Sequence, residues 1–204
     1  MAAGSAPGAG VGPGRRIGVF GGTFDPPHVG HLVPALFVAE ALALDVVLLV
    51  VANVPWQKAG SRAISSADDR LAMVRAAAEG ADGLEVSELE VRRGGDSYTA
   101  DTLADLRRDE PDAELFVILG RDAAAGFATW ERYEDVAAAA TLVVVDRPGP
   151  AVQLDGRFAW QRVDIPELEL SSTELRERVA AGRSIRYLTT DGVASVIAER
   201  GLYR

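Results

Sequence analysis

The chain has 204 residues, 48% of them hydrophobic and 25% charged, with 21 Gly, 10 Pro and no Cys. At roughly 150 residues per domain that is one domain, or one with a small appendage, and the lack of Cys excludes a disulfide scaffold, a thiolate metal site and a cysteine nucleophile. Acidic residues outnumber basic ones by 30 to 21, a net charge of −9, which argues against a general nucleic-acid or anionic-membrane binder but leaves room for a local cationic cluster around a small anion.

In chain order, residues 1–14 (MAAGSAPGAGVGPG) are almost all small residues, Gly and Pro, and are expected to form a disordered tail. Their Gly spacing is not a dinucleotide fingerprint, because it precedes the first strand instead of following one. Arg16–Phe20 reads as a strand. Gly30–Ala43 reads as a helix, with Leu32, Leu36, Phe37 and Leu42 near helical spacing and Pro34 tolerated near the first turn. Val46–Val51 is a continuous apolar run of the kind a buried parallel strand needs. Ser66 opens a helix expected to run to about Glu79, where Gly80 ends it.

Leu84–Leu89 follows as a strand, Thr99–Arg108 as a helix and Leu115–Leu119 as a strand. Thr129–Ala140 reads as a helix, Thr141–Val145 as a strand and Arg157–Asp164 as a weaker strand. Ser171–Ala181 and Asp191–Arg200 read as helices closed by Gly182 and Gly201. This alternation predicts an α/β fold: a Rossmann-like, doubly wound, mostly parallel sheet with helices on both faces and a small C-terminal helical segment. Residues 15–204 are expected to be a single domain. The densest apolar stretch, Leu36–Val51, is broken by Glu40 and Asp45, and a membrane span needs about 20 apolar residues. No apolar segment follows Arg15 and Arg16 to make a leader, so a cytoplasmic location and no membrane partner are expected.

The first candidate site is Gly21 to His31, in Ile-Gly-Val-Phe-Gly-Gly-Thr-Phe-Asp-Pro-Pro-His-Val-Gly-His. Gly21 and Gly22 let backbone N–H groups approach a ligand closely. Thr23 and Phe24 add a hydroxyl and a flat apolar wall. His28 and His31 sit three residues apart at a helix start, so both rings can face one ligand where the helix end favours phosphate. As metal ligands the pair supplies only two positions, and the chain has no other His or Cys, so no metal site is assigned. The second candidate site is Ser171, Ser172 and Thr173 at a helix start, with Arg176 one turn in. Taken alone, Ser-x-x-Glu there is plain capping; a polyphosphate would also suit hydroxyls, N–H groups and a guanidinium.

Gly-Gly-Thr-Phe-Asp-Pro-Pro-His-Val-Gly-His (Gly21–His31) resembles the extended signature of bacterial nicotinate-mononucleotide adenylyltransferases, within the nucleotidylyltransferase superfamily. The resemblance runs from about Arg16 to Tyr203. Leu170–Arg176 resembles the family's Ile-Ser-Ser-Thr-x-Ile-Arg, which implies that Ser172, Thr173 and Arg176 bind ATP phosphates. Lys58, in Pro-Trp-Gln-Lys, resembles a family Pro-x-x-Lys and is implied near the phosphates. Tyr98–Leu103 resembles Tyr-Thr-x-Asp-Thr-Leu, which implies that Thr99 contacts the nicotinate carboxylate; read without the family, Thr99 is a helix cap. Gly120–Asp122 and Phe127–Trp130 resemble Gly-x-Asp and Phe-x-x-Trp, which implies that Asp122 bonds a ribose hydroxyl and that Trp130 stacks on the pyridine ring. Read without the family, Trp130 is a core aromatic.

The resemblance implies adenylyl transfer from ATP to nicotinate mononucleotide, giving nicotinate adenine dinucleotide and pyrophosphate. His28, His31, Lys58 and Arg176 would carry the catalysis. ATP would meet Gly21, Gly22, Thr23, Phe24, Gly120, Asp122, Ser172 and Thr173, and the mononucleotide would meet Thr23, Lys58, Thr99, Asp122 and Trp130. Mg²⁺ is expected to arrive with ATP, since no carboxylate cage is evident. No nucleic-acid partner is expected, and a homo-oligomer is left open. The same chemistry on nicotinamide mononucleotide or phosphopantetheine, an inactive nucleotide-binding regulatory module, and a tRNA-charging protein are the alternatives; the net charge disfavours the last.

Overall fold

In the computed structural model, which describes residues 14–55, 64–146 and 153–204, six segments form strands. They are β1 (Arg16–Gly22), β2 (Val46–Val51), β3 (Leu84–Ser87), β4 (Glu114–Gly120), β5 (Thr141–Asp146) and β6 (Trp160–Asp164). All neighbouring pairs are parallel, in the order β3-β2-β1-β4-β5-β6. A parallel sheet has helices on both faces, so its strands bury both sides. Accordingly all six residues of Val46–Val51 are buried.

One face is covered by α1 (Val29–Ala41), α2 (Ala67–Ala78), α7 (Ser172–Ala180) and α8 (Asp191–Glu199). There Val38, Met73, Leu175 and Val193 are buried in one cluster with Val47, Leu49, Ile118 and Val143 of the sheet. The other face is covered by α4 (Thr99–Asp109), α5 (Arg121–Ala125) and α6 (Tyr133–Ala139), whose Leu103, Ala124 and Val136 join Val19, Leu48, Val117 and Val144. A short α3 (Leu89–Arg93) links β3 to α4. The chain winds outward from β1 to β3, then returns to β4 on the other side of β1 and winds the opposite way. The crevice of such a sheet opens at that reversal, beyond the carboxyl ends of β1 and β4.

Several expected boundaries differ, and the strand expected over Arg157–Asp164 begins only at Trp160, after a turn. The Leu84–Leu89 strand stops at Ser87, and Leu89 already starts α3, a helix too short to show a helical period in sequence. The Thr129–Ala140 helix is a 3₁₀ turn (Phe127–Thr129) followed by α6 from Tyr133. Between them Trp130 is extended and Arg132 is left-handed, at φ 51°. The expectation that Thr99 caps a helix is also corrected: Tyr98 is the N-cap and Thr99 is the first helical residue. Of the expected tail, residues 1–13 lie outside the described residues. Among the described residues no helix is long and apolar enough to cross a membrane.

Candidate active site

Two adjoining cavities open at the reversal. The larger, about 680 Å³, is lined by His28, His31, Asp122, Ser172, Thr173 and Arg176. The smaller, about 240 Å³, is lined by Glu90, Ser97, Thr99, Thr102, Trp130 and Glu131. Phe20–Thr23 and Gly120 line both. The two motifs, some 140 positions apart in sequence, therefore face one space. Phe24 also lines the larger cavity. Asp122, expected at both ligands, lines the larger cavity alone. Lys58 lies outside the described residues.

Local chemistry sets the imidazoles. His28 is the N-cap of α1, and its backbone N–H donates to His31 Nδ1 at 3.2 Å, so the ring three residues on closes the helix start. The ring centroids are 3.9 Å apart. His28 is 4% exposed, and burial lowers its pKa from 6.5 to about 4, which keeps the ring neutral at physiological pH. Its Nδ1 is buried without a hydrogen-bond partner, a cost of about 1–3 kcal/mol that a purely structural residue rarely carries. A Cβ on Gly30 would stand 2.9 Å from His28 Cε1 and Nδ1, so glycine there leaves the ring its space. Phe24, buried and left-handed at φ 51°, fills the room that Gly22 leaves; a Cβ on Gly22 would stand 2.8 Å from its ring. Phe24 in turn meets His31 edge-on at 5.1 Å.

The C-terminal part of the chain clamps the turn before the two rings. Ser172 Oγ donates to the Pro26 carbonyl at 2.8 Å, Thr189 Oγ1 to the Pro27 carbonyl at 2.9 Å, and Val29 N–H to the Leu188 carbonyl at 3.0 Å. The Arg176 guanidinium donates to the Asp25 carbonyl at 2.7 Å and to Thr173 Oγ1 at 2.8 Å. Ser171 is the N-cap of α7, accepting from the Glu174 N–H at 3.1 Å. Capping and site formation are thus divided between neighbouring residues. Tyr203 Oη donates to Asp25 Oδ1 at 2.6 Å. Burial, and then that carboxylate, raise the Tyr203 pKa, so the phenol keeps its proton.

In the smaller cavity, Trp130 is half-buried, with its indole 5.7 Å from the Phe127 ring. It is packed against the core, as read without the family, and also lines the cavity. No side chain caps α4, which leaves N–H groups of its first turn available beside Thr99. Buried Glu90 accepts from Thr102 Oγ1 at 2.6 Å. Among the described residues no Lys or Arg lines this cavity, while Glu90 and Glu131 do.

Sequence reading missed Arg70, Glu90, Thr189 and Tyr203, and gave Asp25 no role. Arg70 stands among charges on an amphipathic helix, where an arginine is usually solvated, yet it is 1% exposed. Tyr203 lies in no local pattern, and only the folded chain brings it to Asp25.

A family model described as cytidylyltransferase-like matches residues 19–178. A "Probable nicotinate-nucleotide adenylyltransferase" of Mycolicibacterium vanbaalenii is 43% identical over 201 residues, covering 93% of this chain and 92% of that protein. A relative of the same name from Frankia casuarinae is 46% identical over 187 residues, covering 90% of this chain and 98% of its own. The solved structure of Plasmodium falciparum nicotinic acid mononucleotide adenylyltransferase complexed with NaAD has a TM-score of 0.75 at 17% identity, covering 93% of this chain and 97% of that one, a likeness of fold alone. The chain therefore belongs to the cytidylyltransferase-like family, and its curated relatives within it carry the name nicotinate-nucleotide adenylyltransferase.

Proposed function

We propose that this protein transfers the adenylyl group of ATP to nicotinate mononucleotide, releasing pyrophosphate and forming nicotinate adenine dinucleotide. The observation that carries the reading is the pair of cavities meeting along Gly21–Thr23. One is lined by imidazoles and a guanidinium and the other by hydroxyls and an indole, so a triphosphate and a pyridine mononucleotide would meet at the strand ends. The names of the close relatives support the same reaction.

The mononucleotide phosphate is already a competent nucleophile. One of its oxygens forms a bond to the α-phosphorus, the bond from that phosphorus to the β-bridging oxygen breaks, and pyrophosphate leaves with the electron pair. No base is needed. The protein aligns the three groups and disperses the growing charge. His28 and His31 donate to α- and β-phosphate oxygens, while Arg176 and Lys58 neutralise the leaving group. Ser172 and Thr173 fix the polyphosphate, and Asp122 accepts from a ribose hydroxyl. Trp130 stacks on the pyridine, and Thr99 with the first N–H groups of α4 meets its carboxylate. Magnesium enters as part of the substrate, MgATP. The ATP phosphates and water would supply the ion's ligands. The reaction runs in the cytoplasm, where ATP is made and used.

Acceptance of nicotinamide mononucleotide is the second reading. It is favoured by the smaller cavity's two carboxylates and the lack of a cationic side chain among its described residues. Pyrophosphate release from ATP, measured with each pyridine mononucleotide in turn, decides between them. Release with the nicotinate form only, or far faster with it, supports the main reading. Preference for the amide supports the second, and release with neither overturns both.

A further inference from the structure

We propose that Arg70 is a positioning residue that holds the two substrate cavities in register, a role that rests on the adenylyl-transfer reading above. Arg70 lies in α2, is 1% exposed, and points its guanidinium under the C-terminal edge of the sheet. Its Nη1 donates to the Thr23 carbonyl at 3.1 Å and to the Ala52 carbonyl. Its Nη2 donates to the Asn53 carbonyl at 2.8 Å, and its Nε to the Ser65 carbonyl at 3.0 Å. One side chain thus ties the exit of β1, the exit of β2 and the entry of α2.

Each tied segment leads to a substrate wall. Thr23 lines both cavities and Ala52 lines the smaller one. Asn53 passes the restraint on: its Nδ2 donates to the Gly95 carbonyl at 2.9 Å and its backbone N–H to Ser97 Oγ at 2.8 Å. The Ser97 N–H donates to the Val54 carbonyl at 3.1 Å. Ser97 directly precedes Tyr98-Thr99, the start of α4. The Ser65 N–H reaches Asp25 Oδ2 at 3.5 Å, which carries the same restraint towards the turn before His28. A planar guanidinium with donors fanned over three segments can make this tie. A lysine, with its donors on one atom, cannot span the same carbonyls.

Alignment of two substrates is more demanding than binding either, because a displacement of about 1 Å at the reacting atoms can lower turnover about 100-fold. The test is Arg70→Lys, with kcat and both KM values read from pyrophosphate release. Dissociation constants for ATP alone and for nicotinate mononucleotide alone come from calorimetry, and the folded fraction from circular dichroism. The expected result is a fall in kcat per folded site of about 10- to 100-fold, with the two single-substrate dissociation constants changed far less. An unchanged kcat per folded site, or a loss fully accounted for by weaker binding of one substrate, overturns the proposal.

If Arg70→Lys does not fold, Asn53→Ala leaves the arginine in place and cuts only the relay to Gly95. It is expected to lower kcat several-fold, the scale of a smaller misalignment, while leaving both single-substrate dissociation constants near the parental values. An unchanged kcat, or a loss fully accounted for by weaker binding of one substrate, overturns the proposal. A parent protein that releases no pyrophosphate would instead overturn the assigned reaction, so the two failures are distinguishable.

Discussion

Replacing Gly30 by alanine tests the claim that the imidazole of His28 is placed by the space beside it. The new Cβ would stand 2.9 Å from both Cε1 and Nδ1 of His28, about 0.5–1 Å inside ordinary contact. His28 is 4% exposed, so the ring cannot swing freely and must shift by a similar amount against its neighbours. Overpacking of this kind costs about 1–3 kcal/mol, and alanine returns up to about 1 kcal/mol through helix propensity at this first-turn position. The net loss of stability is therefore about 0–3 kcal/mol. The effect on turnover is larger, because a displacement near 1 Å at a positioning group lowers rate about 100-fold. Pyrophosphate release from ATP and nicotinate mononucleotide, measured beside urea denaturation of the same preparation, separates the two quantities. A Gly30→Ala protein that turns over like its parent would refute the reasoning. So would one whose lost activity simply follows its unfolded fraction.

His31→Ala removes a preorganised donor and is expected to lower turnover at least about 100-fold with the fold intact; near-parental pyrophosphate release would remove His31 from the machinery. His28 also sets a pH dependence. Its folded pKa of about 4 lies below the unfolded 6.5, so the unfolded chain binds the proton first. Its contribution to stability is then complete above pH 6.5 and is lost as pH falls towards 4, about 3 kcal/mol in all. Proton NMR titration of the His28 ring checks the value, and an apo midpoint at 6.5 or above contradicts it. A triphosphate beside the ring raises that pKa, so ATP binding at acidic pH should take up a proton, seen as buffer-dependent heat in calorimetry. Finally, Tyr203→Phe removes the phenol that donates to the buried Asp25 carboxylate. It should cost about 1.5–3 kcal/mol, the usual worth of a hydrogen bond to a charged group, and should lower turnover through the turn that carries His28. Unchanged denaturation would show that Asp25 is satisfied without it.

The amino-acid sequence by itself determined the α/β class, the approximate positions of the six strands and the residue types of both motifs. Those properties are written in short-range patterns: the apolar run Val46–Val51, the Gly21-Gly22 pair, the spacing of His28 and His31, the Ser171 cap. Boundaries failed where a tertiary demand overrode local preference. Trp130 stays extended instead of helical while its indole walls the smaller cavity, and Leu89 opens a turn of helix too short to leave a period. Only the tertiary structure decided which groups share a space. Ser172 and Arg176 meet the Asp25–Pro26 backbone, Tyr203 meets Asp25, and Arg70 gathers three segments beneath the sheet edge. Apart from Arg70 with Ser65, such contacts join residues from 17 to 178 positions apart, and their partners are mostly backbone carbonyls. A carbonyl is the same at every position, so no residue type in the sequence announces which one an arginine or a serine will find.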